Sequence, residues 1–137
     1  MKIELQNVLP EEIEKRSFEI IGEELGEVEL DPLEEPVIKR VIHTSADFDY
    51  LQNLKFSKDA VRLGMEALKK GAVIVTDTQM ARAGINKATV EALGGDVFCF
   101  MADEDVAAAA KANGTTRATA SMDKAAELDR PIIIAIG

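Results

Sequence analysis

The sequence has one cysteine, one histidine and no long hydrophobic run. The single cysteine, Cys99, excludes an internal disulfide framework, and one cysteine with one histidine supports neither a multi-cysteine zinc site nor the usual Cys–His nucleophile. No apolar run approaches the roughly 20 residues that a membrane span requires. Residues 1–6 lack the apolar region of a secretory signal peptide, so a cytoplasmic location is expected.

Basic residues are also few. The sequence has 16 Lys and Arg against 25 Asp and Glu, which gives a formal net charge of −9 at pH 7. That sign opposes general attraction to nucleic acid or to an anionic membrane, so neither is expected as a partner. Twelve of the 25 carboxylates lie between Glu4 and Glu35, so any anionic ligand must be bound by local basic residues further along the chain.

The rest of the composition is that of an ordinary globular protein, with 47% hydrophobic and 30% charged residues. A chain of 137 residues fits one domain and buries enough surface to fold without a disulfide or a metal ion. We therefore predict a single domain over residues 1–137.

The first half is predicted to be helical. Acidic residues after a proline, together with an apolar side, indicate a first helix that ends at Gly26. A second helix is predicted over 35–44 and a third over 58–70, with Ser57 as its N-cap, whereas the aromatic-rich segment 47–56 predicts a packed loop. The apolar side of the first helix is predicted to consist of Ile13, Phe18, Ile20, Ile21 and Leu25. The side chains expected to face inward on the second helix are Val37, Ile38, Val41 and Ile42.

Three short apolar runs in the second half predict strands that are covered on both faces. They are Ala72–Val75, Val97–Met101 and Ile132–Ile136. Helices are predicted between them, over 86–93, 104–112 and 117–128. Strands that alternate with helices predict an α/β fold with three α/β/α layers and a mainly parallel sheet, flavodoxin-like in general plan.

In such folds, ligands bind beyond the carboxyl ends of the strands. The first two predicted strands are followed there by Thr76–Thr78 and Ala102–Asp103. The third run reaches Ile136, and the sequence ends at Gly137, where the next ligand-facing loop is expected to begin. We therefore predict that the chain is truncated at its C-terminal end.

Loops that cradle phosphate are absent from the sequence. Neither a P-loop nor Gly-x-Gly-x-x-Gly follows the first predicted strand. Gly94–Gly95 precedes a strand and is better explained as a helix stop. The absence of a phosphate-binding loop disfavours a nucleotide- or flavin-binding domain. The acidic turn Asp103–Asp105 is able to attract a magnesium ion. The start of a helix, with Asp103 as its cap, explains these carboxylates better, so no metal site is predicted.

The block Lys39–Tyr50 carries the groups best suited to catalysis. His43 is the only side chain whose ordinary pKa lies near neutrality, which makes it the natural proton donor or acceptor. Arg40 precedes it by three residues and shares its helix face, where it is able to bind a ligand carboxylate. The alternative is a structural histidine that interacts with the C-terminal helix dipole.

Two further blocks place polar groups where a ligand is expected. Thr76–Lys87 leaves the first strand at its carboxyl end, and the alternative is an ordinary strand–helix connection. Gly114–Ala118 places two hydroxyls and Arg117 at a helix start, which suits an anion, and the alternative is a simple threonine N-cap with a solvated arginine. The residues alone leave both alternatives open.

Taken in this order, the blocks resemble the precorrin-8X methylmutase family, including its cobalt-precorrin-8 form. The matching segments are Lys15–Phe18, Arg40–Thr44, Thr76–Asp77, Met80, Gly84–Lys87 and Thr116–Arg117. The resemblance covers essentially the whole chain. It implies an isomerase of cobalamin biosynthesis that moves a methyl group from C11 to C12 of a corrin precursor, giving hydrogenobyrinic or cobyrinic acid. It also implies no redox or group-carrying cofactor, and a homodimer that binds the tetrapyrrole near the subunit interface.

The resemblance also implies roles for individual residues. His43 is the implied catalytic acid, and Arg40 and Arg117 are the implied partners of the substrate's carboxylates. The residues implied to position the substrate are Ser17, Thr44, Asp77 and Gly84. Family members continue beyond the equivalent of Gly137, so part of the pocket is expected to be missing. The alternative to an isomerase is a non-catalytic tetrapyrrole-binding fragment or module.

Overall fold

The computed structural model describes residues 8–137, and its contacts divide the chain into two compact units. The first unit is Met1–Val61 and the second is Arg62–Gly137. Residues 1–7, which the predicted single domain includes, lie outside the described residues, and the extent of that domain stays a prediction. No helix in the described part of the chain combines the length and the apolar character that crossing a membrane requires.

The first unit is helical, as predicted. After a 3-10 turn at Pro10–Glu12, it contains α1 (Ile13–Leu25), α2 (Glu35–Ser45) and α3 (Tyr50–Asn53). α1 ends at Gly26, whose φ of +64° lies in the left-handed region that glycine enters without strain. The loop predicted over 47–56 is wrong where α3 forms, because this helix has only 4 residues and is too short to show a helical period in the sequence.

Three isoleucines form the buried core of the first unit. Ile21 comes from α1, and Ile38 and Ile42 come from consecutive turns of α2. The inward orientation predicted for Val37 is wrong, since its side chain is exposed. Ile13 and Ile20, on the predicted apolar side of α1, are exposed as well. α1 has α2 as its main packing partner, and one helix covers only one stripe of another, so part of the apolar side of α1 stays open.

The second unit alternates helices and strands. Its first helix starts two residues before Arg62 and is counted with this unit. The elements are α4 (Ala60–Lys69), β1 (Val73–Thr76), α5 (Gln79–Gly84), α6 (Lys87–Ala92), β2 (Val97–Phe98), α7 (Glu104–Ala112), α8 (Arg117–Ala126) and β3 (Ile132–Ala135). The N-cap predicted at Ser57 is wrong, because Asp59 has a φ of +57° and the helix begins only at Ala60. α5 was not predicted as a helix, since its residues fit an ordinary polar connection equally well.

The strands form one parallel sheet in the order β2–β1–β3. Ile74 of β1 lies opposite Val97 of β2 and Ile133 of β3. The predicted α/β class and parallel pairing are thereby confirmed. β2 comprises only Val97–Phe98, although the apolar run extends to Met101, because an apolar run reports burial rather than strand pairing.

α8 covers one face of this sheet. Its Ala125 packs with Val73 and Val75 of β1, and all three are almost completely buried. The side chains that surround them are Phe98, Phe100, Met122, Leu128 and Ile132. Two hydroxyls in the unit are buried, those of Thr76 and Ser121. Each donates a hydrogen bond to a backbone carbonyl oxygen 2.9 Å away. This unit is therefore densely packed without leaving these polar groups unsatisfied.

Side chains fix where several helices of the second unit begin. Backbone N–H groups donate to the capping oxygens of Thr78, Asn86 and Thr116, each at 3.1 Å. Asp103 occupies the N-cap position of α7, but its side chain makes no capping bond and instead accepts from Lys124 Nζ at 2.7 Å. The predicted capping role of Asp103 is therefore wrong, because an ammonium group from α8 competes for its carboxylate.

Candidate active site around His43

α1 and α2 of the first unit bring two functional side chains together around one aromatic ring. His43, in the last turn of α2, meets the Phe18 ring edge to face, with ring centroids 5.5 Å apart and planes at 84°. The Arg40 guanidinium lies 5.0 Å from the centre of the same ring. Arg40 and His43 thus share a helix face, as their spacing predicts.

The imidazole of His43 is held by a hydroxyl. Nδ1 of His43 lies 2.8 Å from Oγ of Ser17, across the contact between the two helices, and the ring is half-buried. No hydrogen bond to Nε2 occurs within residues 8–137. The Ser17 contact therefore occupies one ring nitrogen and leaves the other as the nitrogen available for chemistry.

His43 and Ser17 both line a cavity of about 480 Å³ in the first unit. The other lining residues are Val8, Ile13, Arg16, Ile20, Ile21, Glu24, Ile42, Ala46 and Phe48. Most of this wall is apolar and carries a few polar groups, which is the usual composition of a small-molecule site. The apolar side chains of α1 that stay outside the core, Ile13 and Ile20, contribute to this wall.

Arg40 is already paired with a carboxylate of the protein. Its Nη2 donates to Glu14 Oε1 at 2.7 Å, and both side chains are more than half exposed. The hydrogen bond from Arg40 lowers the pKa of the Glu14 carboxyl, and the same bond raises the pKa of Arg40. The guanidinium therefore has the orientation to bind a carboxylate, and a ligand has to displace Glu14 to use it.

The hydroxyl of Thr44 is turned back onto its own helix. Oγ1 donates to the carbonyl of Arg40 at 2.5 Å, a bond that threonine commonly makes within helices. Its role in positioning a substrate stays a prediction, and in this conformation only the oxygen lone pairs remain for a ligand.

The other implied site residues belong to the second unit. Asp77 follows β1, and its Oδ1 accepts a hydrogen bond from the backbone N–H of Gly137 at 2.8 Å, which joins the carboxyl ends of β1 and β3. Gly84 ends α5, and a Cβ placed there meets no atom within 4 Å, so the unit itself does not require glycine. Arg117 begins α8 and is exposed. The structure does not test their predicted roles in binding.

The comparison with family models identifies the chain's relatives. A model described as precorrin-8X methylmutase matches residues 12–137. The chain belongs to the precorrin-8X methylmutase family.

Individual members of the family agree with that assignment. The chain is 42% identical over 130 residues to a cobalt-precorrin-8 methylmutase of Priestia megaterium, and 44% identical over 119 residues to that of Salmonella typhimurium. These matches cover 95% and 83% of the chain. A crystal structure of precorrin-8X methyl mutase from Thermus thermophilus has a TM-score of 0.79 and 38% identity, over 93% of the chain.

The chain is shorter than these family members. It spans 58% of the Priestia megaterium protein, 57% of the Salmonella typhimurium protein and 62% of the Thermus thermophilus chain. The family and the fold are therefore shown for the chain, whereas the activity belongs to the longer relatives.

The acidic turn at the start of α7 is occupied by a lysine. Lys124 Nζ contacts Asp103 and Asp105, each at 2.7 Å, and lies 5.0 Å from the centre of the Phe100 ring. The hydrogen bond from Lys124 lowers the pKa of Asp105, and the bonds to the two aspartates raise the pKa of Lys124. No group of three or more His, Cys, Asp or Glu in residues 8–137 is placed to hold a metal ion.

Three residues of the site were not predicted from the sequence. Phe18 contacts both His43 and Arg40, Glu14 pairs with Arg40, and Arg16 lines the cavity. The sequence contains a signal for Glu14 and Phe18, because positions 14, 17 and 18 lie on one face of a helix. Using it requires knowing that this face of α1 packs against α2, which is a tertiary contact.

Proposed function

We propose that the chain acts as a methylmutase of cobalamin biosynthesis. It is an isomerase that moves a methyl group from C11 to C12 of precorrin-8X or cobalt-precorrin-8 and gives hydrogenobyrinic or cobyrinic acid. The observation that supports this best is the lone histidine, which is held by Ser17 in the wall of an apolar cavity within a region matched by the family model.

The chemistry of an isomerisation fits one histidine. Substrate and product have the same atoms, so the enzyme needs no external nucleophile, and a proton that it gives to the macrocycle must be taken back. A side chain with an ordinary pKa of about 6.5 performs both transfers near neutral pH. His43 is the proposed donor and acceptor, and no redox or group-carrying cofactor is required for such a step.

The charge of the substrate is the reason for proposing arginines as its partners. A corrin precursor carries many peripheral carboxylates, which a protein with a formal charge of −9 must bind locally. Arg40 is the proposed partner of one carboxylate through exchange with Glu14, and Arg117 is the proposed partner of another. Binding by exchange replaces one carboxylate with another at the same guanidinium.

The remaining assignments rest on family resemblance and belong to the same proposal. Thr44, Asp77 and Gly84 are proposed to position the macrocycle, Ser17 lies next to His43, and the protein is proposed to work as a homodimer in the cytoplasm. The proposed single domain over residues 1–137 carries this part of the site.

A second candidate is a tetrapyrrole-binding module without catalysis. The chain spans 57–62% of the length of the relatives named as methylmutases, so these matches support the fold and the cavity and not the activity. In this second candidate the cavity beside His43 binds the macrocycle without turnover.

Binding and turnover are separated by measuring them in sequence. Absorbance titration with hydrogenobyrinic acid measures binding, and conversion of precorrin-8X, followed by the same spectrum, measures turnover. We expect the wild type to bind hydrogenobyrinic acid and to convert precorrin-8X. His43→Gln keeps a polar side chain without an acid, so it is expected to lower turnover by about 10²- to 10⁴-fold while product affinity is retained.

The control is Glu23→Gln, an exposed position on α1 that lies outside the cavity wall. It is expected to match the wild type in both assays. Binding without turnover in the wild type supports the non-catalytic module. Absence of binding, or full turnover by His43→Gln, contradicts the proposed function.

A further inference from the structure

The contact between Ser17 and His43 distinguishes the two nitrogens of the ring. Ser17 Oγ lies 2.8 Å from Nδ1, which is within ordinary hydrogen-bond distance. The Phe18 ring packs against the imidazole from α1, and the neighbouring Ile42 is 1% exposed and fixes this turn of α2 in the core. The imidazole is therefore oriented by contacts on more than one side.

A hydroxyl can donate or accept, so the direction of this hydrogen bond has to be derived from the states that the ring must adopt. When His43 carries a proton to give, both ring nitrogens bear hydrogen, and Nδ1–H can only donate. Ser17 Oγ must then be the acceptor. If the ring loses the proton from Nε2, this bond stays intact, whereas loss from Nδ1 forces the Ser17 hydroxyl to rotate and reverse the bond.

We propose that Ser17 is a positioning residue whose Oγ accepts from Nδ1–H of His43 in both protonation states, so that Nε2 is the atom that exchanges a proton with a ligand in the cavity. The identity of that ligand as a tetrapyrrole rests on the proposed function. Ser17 acts in this account through His43, and not by a direct contact with substrate.

The proposal has a direct spectroscopic test because the chain contains one histidine. In a ¹⁵N-histidine-labelled protein without an affinity tag, one pair of imidazole nitrogen signals reports His43 alone. At a pH where the ring is neutral, we expect hydrogen on Nδ1 and a lone pair on Nε2. This is the opposite of the tautomer that free histidine favours in water.

Two variants and a control show whether Ser17 causes this preference. Ser17→Ala removes the acceptor, so the tautomer ratio is expected to reverse toward Nε2–H. Ser17→Thr keeps a hydroxyl and is expected to restore Nδ1–H. Ser57→Ala changes an exposed serine before α4 and is expected to leave the ratio as in the wild type. If Ser17→Ala does not fold, the tautomer of the wild type decides alone, and Nε2–H there overturns the proposal.

Kinetics distinguish positioning from substrate binding. Removing the support of one hydrogen bond is expected to lower kcat by about 10-fold in Ser17→Ala, with KM nearly unchanged and with recovery in Ser17→Thr. A rise in KM at constant kcat overturns the proposal and returns Ser17 to direct substrate contact. An Nδ1–H tautomer in a protein without turnover supports the inference about Ser17 and contradicts only the proposed catalytic function. An Nε2–H tautomer in an active protein overturns the inference alone.

Discussion

The two units of the molecule differ in how completely their apolar side chains are packed. In the second unit, β1 lies between two strands and one face is covered by α8, so Val73 and Val75 have no exposed surface. In the first unit, α1 and α2 bury three isoleucines and leave an apolar cavity beside them. His43 therefore lies in the unit whose packing leaves space for a ligand beside the core.

The two units also differ in how deeply their hydrogen-bonded polar groups are buried. In the second unit Thr76 and Ser121 are completely buried, and each bonds to a carbonyl nearby in the chain. In the first unit two side-chain hydrogen bonds join α1 to α2 and stay open to solvent at least in part, between Ser17 and His43 and between Glu14 and Arg40. Contacts of the first kind stabilise the fold, whereas contacts of the second kind are accessible to a ligand.

The comparison is tested most severely by removing core volume from the smaller core. Ile42→Ala deletes most of a side chain that is 1% exposed and is expected to cost about 2–5 kcal/mol. Amide hydrogen exchange in α1 and α2, together with denaturant unfolding, measures the loss. The control Val37→Ala removes an exposed side chain from the same helix and is expected to cost much less. Equal losses in the two variants contradict the proposed core.

A glycine in each unit distinguishes dense from loose packing. A Cβ at Gly95 clashes with the backbone oxygen of Ala72, so Gly95→Ala is expected to destabilise the second unit by about 1–3 kcal/mol. A Cβ at Gly22, within α1, meets only the flexible end of Lys39 at 3.4 Å. Gly22→Ala is therefore expected to stabilise by about 0.5–1 kcal/mol. Thermal unfolding of both variants measures the signs, and the same sign in both contradicts the comparison.

Arg130 is the strongest candidate for a polar clamp in the second unit. Its guanidinium donates to the carbonyls of Gly71 and Gly94, each at 2.7 Å, and to the Asp96 carboxylate. Arg130→Ala leaves both carbonyls without this donor and is expected to cost about 1–3 kcal/mol in denaturant unfolding. Arg117→Ala, an exposed arginine in the same unit, is the stability control and is expected to change the midpoint little.

The pH dependence of the second unit follows from the pair Asp105–Lys124. Asp105 has a lowered pKa in the fold, so its contribution is present above the ordinary carboxyl pKa of about 3.9 and is lost as pH falls through the lowered value. Lys124 has a raised pKa, so its contribution is present below about 10.4 and is lost as pH rises through the raised value. Both contributions are complete between about pH 4 and pH 10.

Lys124→Met is therefore expected to lower stability inside that window and to flatten the pH dependence at both edges. Thermal unfolding from acid to alkaline pH measures this effect, with Lys111→Met on the exposed side of α7 as the control. An unchanged pH profile in Lys124→Met contradicts the assignment.

The smallest expected effect on stability concerns Glu14. This carboxylate is exposed and its pair with Arg40 is screened by water, so Glu14→Gln is expected to leave the unfolding midpoint nearly unchanged. Because the variant frees Arg40, its affinity for hydrogenobyrinic acid is expected to rise, as measured by absorbance titration. Glu11→Gln, an exposed acid one turn earlier, is the charge-matched control. Weaker binding by Glu14→Gln contradicts the exchange of carboxylates at Arg40.

The sequence predicted the fold best where local patterns and tertiary packing agree. The apolar run of β1 and the threonine cap of α8 are visible in the sequence because burial and capping leave local signatures. The run of β3 predicts a strand correctly, but its predicted cover on both faces is wrong, since Ile134 is 54% exposed. Ile13 and Ile20 belong to the predicted apolar side of α1 and are exposed, because an apolar stripe does not show which part of it has a packing partner. α5 was missed because six residues show little more than one turn of a period.

The sequence predicts the part of the candidate site that lies within one helix. The common face of Arg40 and His43 follows from a spacing of three residues on one helix. The hydrogen bond between Ser17 and His43 and the pair Glu14–Arg40 join residues that are 26 positions apart, and no local pattern contains such contacts. The resemblance to a family indicated Ser17 as a site residue, but its contact with the imidazole required the structure.

Nε2 of His43, within the cavity of the first unit, is the atom proposed to meet the macrocycle. The most direct measurement is a titration of the ¹⁵N-histidine-labelled chain with hydrogenobyrinic acid, with binding followed in parallel by absorbance. We predict a saturable change in the Nε2 signal at the same ligand concentration as the absorbance change, while Nδ1 keeps its hydrogen. Binding by absorbance with both imidazole signals unchanged would contradict it.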